Sequence, residues 1–190
     1  MKIAIDVDDT VVDFVKPFLI YYNRGFNTNY SFEDINSSEI WKCLGLDKDS
    51  FRDLLVDFRK TSFFEDRVLY SDFKNVFEDL NKKHISCFVT SRSKEVSRET
   101  ESFFKRNLNN FNTPIFYSGG IHPTENGSKA EICLEKKVDF LVDDNEIYGL
   151  DCAEKGIGVF LLDKPWNQGD GLPDNVERVE DWYEILEKLK

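Results

Sequence analysis

The sequence predicts an α/β fold, a mostly parallel sheet with helices on both faces and a small helical cap inserted after the first strand. Three observations predict it. Short apolar runs bounded by polar or glycine residues recur at 2–6, 85–90, 113–117, 138–142 and 158–162, the pattern of buried strands. Helical patterns alternate with them from about residue 70 onward, which favours parallel strands with covering helices. Between them, residues 14–73 carry helix-like spacing, many aromatics and no run of strands.

Taken in order, the first apolar run ends abruptly at Asp6 and is followed by the cap. There Phe14, Phe18 and Tyr21 or Tyr22 fall at i, i+4, i+7 spacing, one face of a helix packed on something apolar. Helices are then expected at 93–108, 129–137, 147–155 and 181–189, each between or after the strand candidates. The chain therefore divides into a core of residues 1–13 and 74–190 and a cap of residues 14–73. Neither a repeat nor a linker marks a further independent domain.

Composition narrows the function classes. A chain of 190 residues, 41% hydrophobic and 14% aromatic, can bury one core. With 36 acidic against 25 basic side chains and a formal charge of -11, it lacks the broad cationic surface that nucleic acid or a membrane would need. An anionic substrate would need local help from a metal ion or a few placed cations. Cys43, Cys87, Cys133 and Cys152 form no CxxC pair and read as free thiols in a reducing compartment. The apolar run before Asp6 is too short for a signal-peptide core or a bilayer span, so a cytoplasmic protein is expected.

The chemistry concentrates at strand ends. Asp6, Asp8, Asp9 and Thr10 follow the first strand directly, at the edge where open α/β sheets bind ligands. Carboxylates at that density repel, and a divalent cation with oxygen ligands, Mg²⁺ above all, offsets them. Asp47-Lys48-Asp49 repeats the D-x-D pattern without a strand before it and reads as a solvated turn or helix start. Asp143-Asp144 ends a second apolar strand, although alone it also fits a helix N-cap. Thr90, Ser91 and Arg92 end a third, ahead of a helix whose first amides suit phosphate oxygens. Lys129 opens the helix leading to the strand at 138. N-capping explains Thr90 and Ser91 equally well, and solvent exposure explains Lys129; their order and placement together favour a phosphoryl-transfer site.

Two other motifs fail. Gly119-Gly120 through Gly127-Ser128-Lys129 has neither the spacing nor the order of a Walker A loop. His84, expected in the turn before its strand, and His122 have no partner at metal-ligand spacing.

In order along the chain, Asp6-Val7-Asp8-Asp9-Thr10, Thr90, Lys129 and Asp143-Asp144 resemble the four motifs of the haloacid dehalogenase superfamily. The resemblance covers nearly the whole chain and implies a Rossmann-like core with a cap between the first and second motifs. Val12-Asp13-Phe14, Thr90-Ser91, Phe63-Phe64 and Asp163-Lys164-Pro165-Trp166-Asn167 resemble the 5'(3')-deoxyribonucleotidase family within it. Asp9 and Arg92 depart from the vertebrate members, which carry Gly and Pro there.

The resemblance implies a Mg²⁺-dependent phosphomonoesterase acting on a small phosphate ester, a nucleoside monophosphate by preference. Asp6 would be the nucleophile and Asp8 the general acid and base, a task that asks for an Asp8 pKa above the ~3.9 of free aspartate, where neighbouring acids would push it. Asp6, the main-chain carbonyl of Asp8, and Asp143 would hold the metal, with Asp144 acting through water or hydrogen bonds. Thr90 and Lys129 would hold the phosphoryl group, and Phe14, Ser91 and Arg92 would meet the substrate. Phe18, Trp41, Phe63, Phe64 and Trp166 are further stacking candidates that equally suit the cap core. A sugar-phosphate phosphatase or phosphomutase shares the core motifs, and a non-catalytic Mg²⁺-binding phospho-regulator is the alternative of another class.

Overall fold

The computed structural model describes residues 1–109, 111–119 and 127–190; Gly120 and His122 lie outside them. Strands β1 (Lys2–Ile5), β2 (Ile85–Thr90), β3 (Ile115–Tyr117), β4 (Phe140–Asp143), β5 (Gly158–Leu162) and β6 (Val176–Val179) form one parallel sheet. Its order is β3-β2-β1-β4-β5-β6. The order reverses between β1 and β4, and a crevice opens at such a switch point beyond the strands' C-terminal ends.

Alternation along β1 explains the layers. Ile3 and Ile5 face one core with Phe88, Val142 and Phe160, while Ala4 faces the other with Cys87, Leu141 and Val159, as a period of two requires. Helices α5 (Ser71–Lys83) and α9 (Trp182–Lys188) cover the first face, where the Phe73 and Trp182 rings lie 4.8 Å apart. Helices α7 (Lys129–Glu135) and α8 (Glu146–Glu154) cover the second through Ala130, Ile132, Cys133 and Cys152. The α6 helix (Ser97–Asn107) follows a 3₁₀ turn at Lys94–Val96, so the helix expected at 93–108 begins later.

The segment between β1 and β2 contains α1 (Val15–Phe26), α2 (Ile40–Cys43), α3 (Lys48–Phe58) and α4 (Ser62–Glu65). Their aromatic faces make a core of their own, in which Phe18 and Phe58 are fully buried. Asp47 caps α3, the role its exposed D-x-D suggested. Helix α5 crosses position 73: its apolar stripe of Phe73, Val76, Phe77 and Leu80 belongs to the sheet's core, so the change of partner comes before residue 73.

The strands differ from expectation at several places: β1 ends at Ile5 rather than 6, and β4 runs over Phe140–Asp143 rather than 138–142. β3 begins at Ile115 rather than 113, and β6 has no counterpart in the sequence reading. β6 is an edge strand with the sequence Val-Glu-Arg-Val, buried only at its two valines. Four residues with two charges carry too weak an alternation to read as a strand.

Candidate functional site

Register creates the site. Ile5 of β1 stands opposite Val142 of β4, so the next residue on each strand, Asp6 and Asp143, emerge side by side at the switch point. The Asp6 amide donates to the Val142 carbonyl at 2.9 Å and fixes this alignment. Asp6, Asp143 and Asp144 are all buried and each offers a carboxylate oxygen within 4.8 Å of the others.

Lys129 enters the same cluster from α7. Ser128 caps that helix, with its hydroxyl accepting from the Glu131 amide and its own amide donating to Glu131. Gly127 precedes it at φ +78, where an added Cβ would collide with the Glu131 side chain. This turn points Lys129 inward, 2% exposed, and its ammonium donates to Asp6 Oδ1 at 2.8 Å and Asp143 Oδ2 at 2.6 Å. Burial disfavours the ammonium, but the two carboxylates outweigh it and hold Lys129 charged well beyond its ordinary range. Burial, opposed by Lys129 and reinforced by Asp143, pushes Asp6 up to about 7.

Asp8 has a different environment. Arg92 grips it with a fork, Nε to Oδ2 at 2.8 Å and Nη2 to Oδ1 at 2.5 Å, and Arg67 adds a contact at 3.5 Å. Arg92 is itself buried and braced on Thr100 at 3.0 Å. Burial works to raise the Asp8 carboxyl, yet the two guanidiniums outweigh it and hold it below the usual carboxylate value. The expectation of a raised Asp8 is therefore corrected: two guanidiniums contact its carboxylate directly.

Asp9 adopts φ +55, and its carboxylate accepts from the Phe14 and Val15 amides at 3.1 Å each, anchoring the start of α1. Burial dominates over those bonds and pushes Asp9 up to about 7. Asp144 accepts from the Thr10 hydroxyl at 2.9 Å and the Trp166 indole at 2.9 Å. Burial among Asp143, Asp6 and Asp9 raises it strongly.

A cavity of about 470 Å³ opens over the cluster, with Asp6, Asp8, Asp143 and Asp144 on the sheet side. The insertion supplies the opposite wall, including Phe14, Phe51, Leu55 and the cations Lys48, Arg52 and Arg59. Ser91 and Arg92 line it, while Thr90 is 1% exposed and its hydroxyl accepts from the Arg92 amide at 3.2 Å. Among the stacking candidates, Phe14 and Trp166 reach the cavity and Phe18 and Phe64 are buried in the insertion's core. Sequence reasoning missed Arg67, Arg59 and Tyr148, whose ring lies 4.4 Å from the Lys129 ammonium. Nothing local marks Arg67, but Lys48, Arg52 and Arg59 at i, i+4, i+11 share a helical face that the sequence displays.

No family model matches the chain. It is 26% identical over 190 residues to "Putative nucleotidase YqfW" of Bacillus subtilis, covering 98% of this chain and 92% of that protein. Its structure is similar to the haloacid dehalogenase-like family hydrolase SP0104 of Streptococcus pneumoniae, with a TM-score of 0.68 at 15% identity over 100% and 98% of the two chains. It is also similar to the Bacillus subtilis haloacid dehalogenase-type protein YfnB, solved bound to magnesium, with a TM-score of 0.62 at 15% identity over 100% and 98% of the chains. With its parallel sheet, its helical insertion and its acids at the switch point, the chain resembles the haloacid dehalogenase superfamily hydrolases in fold and the nucleotidases in sequence.

Proposed function

We propose that the protein is a Mg²⁺-dependent phosphomonoesterase that works through an aspartyl-phosphate and acts on (deoxy)ribonucleoside 5'-monophosphates, with the helical insertion of α1 to α4 as the cap over its site. The observation that carries this reading is the convergence of Asp6, Asp143 and Asp144 on one point with Lys129 against two of them. Three buried carboxylates beside one ammonium leave negative charge uncompensated, and their hard oxygen donors suit Mg²⁺. Asp6 and Asp143, with the main-chain carbonyl of Asp8, would hold it. When bound, it would supply the charge compensation that lets an anionic nucleophile meet an anionic ester.

Asp6 attacks phosphorus, the bond to the leaving oxygen breaks, and Asp8 gives that oxygen a proton. Asp8, then ionised against Arg92, takes a proton from the water whose oxygen attacks phosphorus and frees Asp6. The first of these steps needs the guanidinium fork drawn back; the second suits the fork as it stands. Lys129, Ser91 and Thr90 hold phosphoryl oxygens, and Lys129 favours the ionised form of Asp6 against its burial. Phe14 and Trp166 offer faces for a base, the cavity has the volume of a small-ligand site, and the YqfW relative carries a nucleotidase name.

Phosphate release from a panel of nucleotides and hexose phosphates, with and without Mg²⁺, tests the reading. Nucleotide turnover that needs Mg²⁺ and disappears in Asp6→Asn is the expected outcome. Preference for hexose phosphates would move the assignment to sugar phosphates. Label from a small phosphodonor persisting for minutes would make the chain a phospho-regulator.

A further inference from the structure

The cap side of the cavity is cationic although the chain as a whole carries a charge of -11. Lys48 and Arg52 of α3 and Arg59, the residue that ends it, line the cavity together, with Leu55 and Val56 between the two arginines. Their circumstances differ. Arg52 has Asp49 at 3.3 Å in an exposed pair, and the Lys48 ammonium lies 5.8 Å from the Trp41 ring centroid. The Arg59 guanidinium is half-buried and has no hydrogen bond or ion pair among the described residues. Asp8 is the acid whose field acts on it most strongly, yet Arg92 and Arg67 already occupy both Asp8 oxygens.

A half-buried guanidinium gives up part of its hydration, and its planar fork of donors is shaped to regain it best from a carboxylate or phosphate. Position says which anion. Lys129 and the acidic triad lie where the reacting phosphoryl group would sit, and Asp8 lies toward the leaving oxygen. A cation on the cap beside Asp8 therefore meets the leaving group. We propose that Arg59, supported by Arg52, forms a subsite for a second anionic group on the leaving group, so that the preferred substrate is a nucleotide carrying a further phosphate, such as a nucleoside 3',5'-bisphosphate. This rests on the phosphomonoesterase reading above, and it adds the charge of the leaving group to it.

The test compares kcat/KM for a nucleoside 5'-monophosphate and the 3',5'-bisphosphate of the same nucleoside in wild type, Arg59→Gln and Arg59→Lys. Wild type should favour the bisphosphate at least tenfold. Arg59→Gln should collapse that ratio tenfold or more, mainly through KM, and Arg59→Lys should restore part of it. Equal rates on both substrates in wild type, or an unchanged ratio in Arg59→Gln, overturn the subsite. Calorimetry of the two nucleotides on Asp6→Asn with Mg²⁺ separates the two levels of the argument. Tighter binding of the bisphosphate that depends on Arg59 supports the subsite even if no ester is turned over, and equal affinities overturn it. Thermal melting of each variant confirms that the comparison is between folded proteins.

Discussion

Arg92 closes a bidentate fork on Asp8, at 2.8 and 2.5 Å, across 84 residues of sequence. The fork fixes both the charge and the orientation of the residue proposed as acid and base. Arg92→Gln is expected to slow hydrolysis of the aspartyl-phosphate, the step in which Asp8 acts as an ionised base, by about tenfold to a hundredfold, within the range ascribed to a positioned acid–base group. Arg92→Lys keeps the charge but cannot supply two parallel donors, so it should recover only part of the loss. Phosphate-release kinetics check this, and full activity in Arg92→Gln would remove Arg92 from the catalytic arrangement.

Lys129 is the buried cation shared by Asp6 and Asp143. Lys129→Met leaves both carboxylates without it, and removing one partner of a buried ion pair costs about 3–5 kcal/mol. Denaturant unfolding in chelator at pH 7.5 should show that loss, and turnover should fall by at least about a hundredfold as with other lost electrostatic donors. Unchanged stability together with unchanged turnover would contradict the position given to Lys129.

The acids of the site make stability depend on pH in a definite direction. Asp6 and Asp9 stand at about 7 in the folded chain against an ordinary 3.8, chiefly through burial. Between those values the folded state binds more protons than the unfolded one, so their contribution is present at low pH and is lost as pH rises through about 7. In chelator the protein should melt higher at pH 5.5 than at pH 7.5, and Asp6→Asn should reduce the difference. Added Mg²⁺ should raise the melting point more at pH 7.5, where the carboxylates are ionised to receive it. A chelated protein that gains stability from pH 5.5 to 7.5 would oppose this account.

Asp9 combines a left-handed backbone, φ +55, with two carboxylate bonds to the start of α1. Asp9→Ala loses the bonds, at about 1–2 kcal/mol for a cap, and keeps the backbone strain. Asp9→Gly loses the same bonds but relaxes a conformation that glycine adopts freely. Asp9→Gly should therefore be the more stable of the two by about 1 kcal/mol, read from denaturant midpoints. The reverse order would mean that the turn is not strained.

The fold class was legible because it rests on local patterns: apolar runs short enough for strands, helical periods between them, and an aromatic segment with neither strand nor linker. The first-strand acids and the Asp143-Asp144 pair were legible because each follows an apolar run directly. β6 was not, since this four-residue edge strand buries only its two end valines, Val176 on one face of the sheet and Val179 on the other, and leaves no alternation to detect.

What the sequence by itself determined is which acids end which strands and that a helical insertion separates the first two strands. The tertiary structure alone decided who neutralises whom. Parallel register set Asp6 beside Asp143, the capped turn at Ser128 sent Lys129 between them, and the insertion's return brought Arg67 to Asp8 from 59 residues away. The reason is that charge interactions fall off with distance through space, and separation along the chain does not report that distance. The sequence therefore marked Asp8 as an acid among acids, and folding made it a carboxylate held by two guanidiniums.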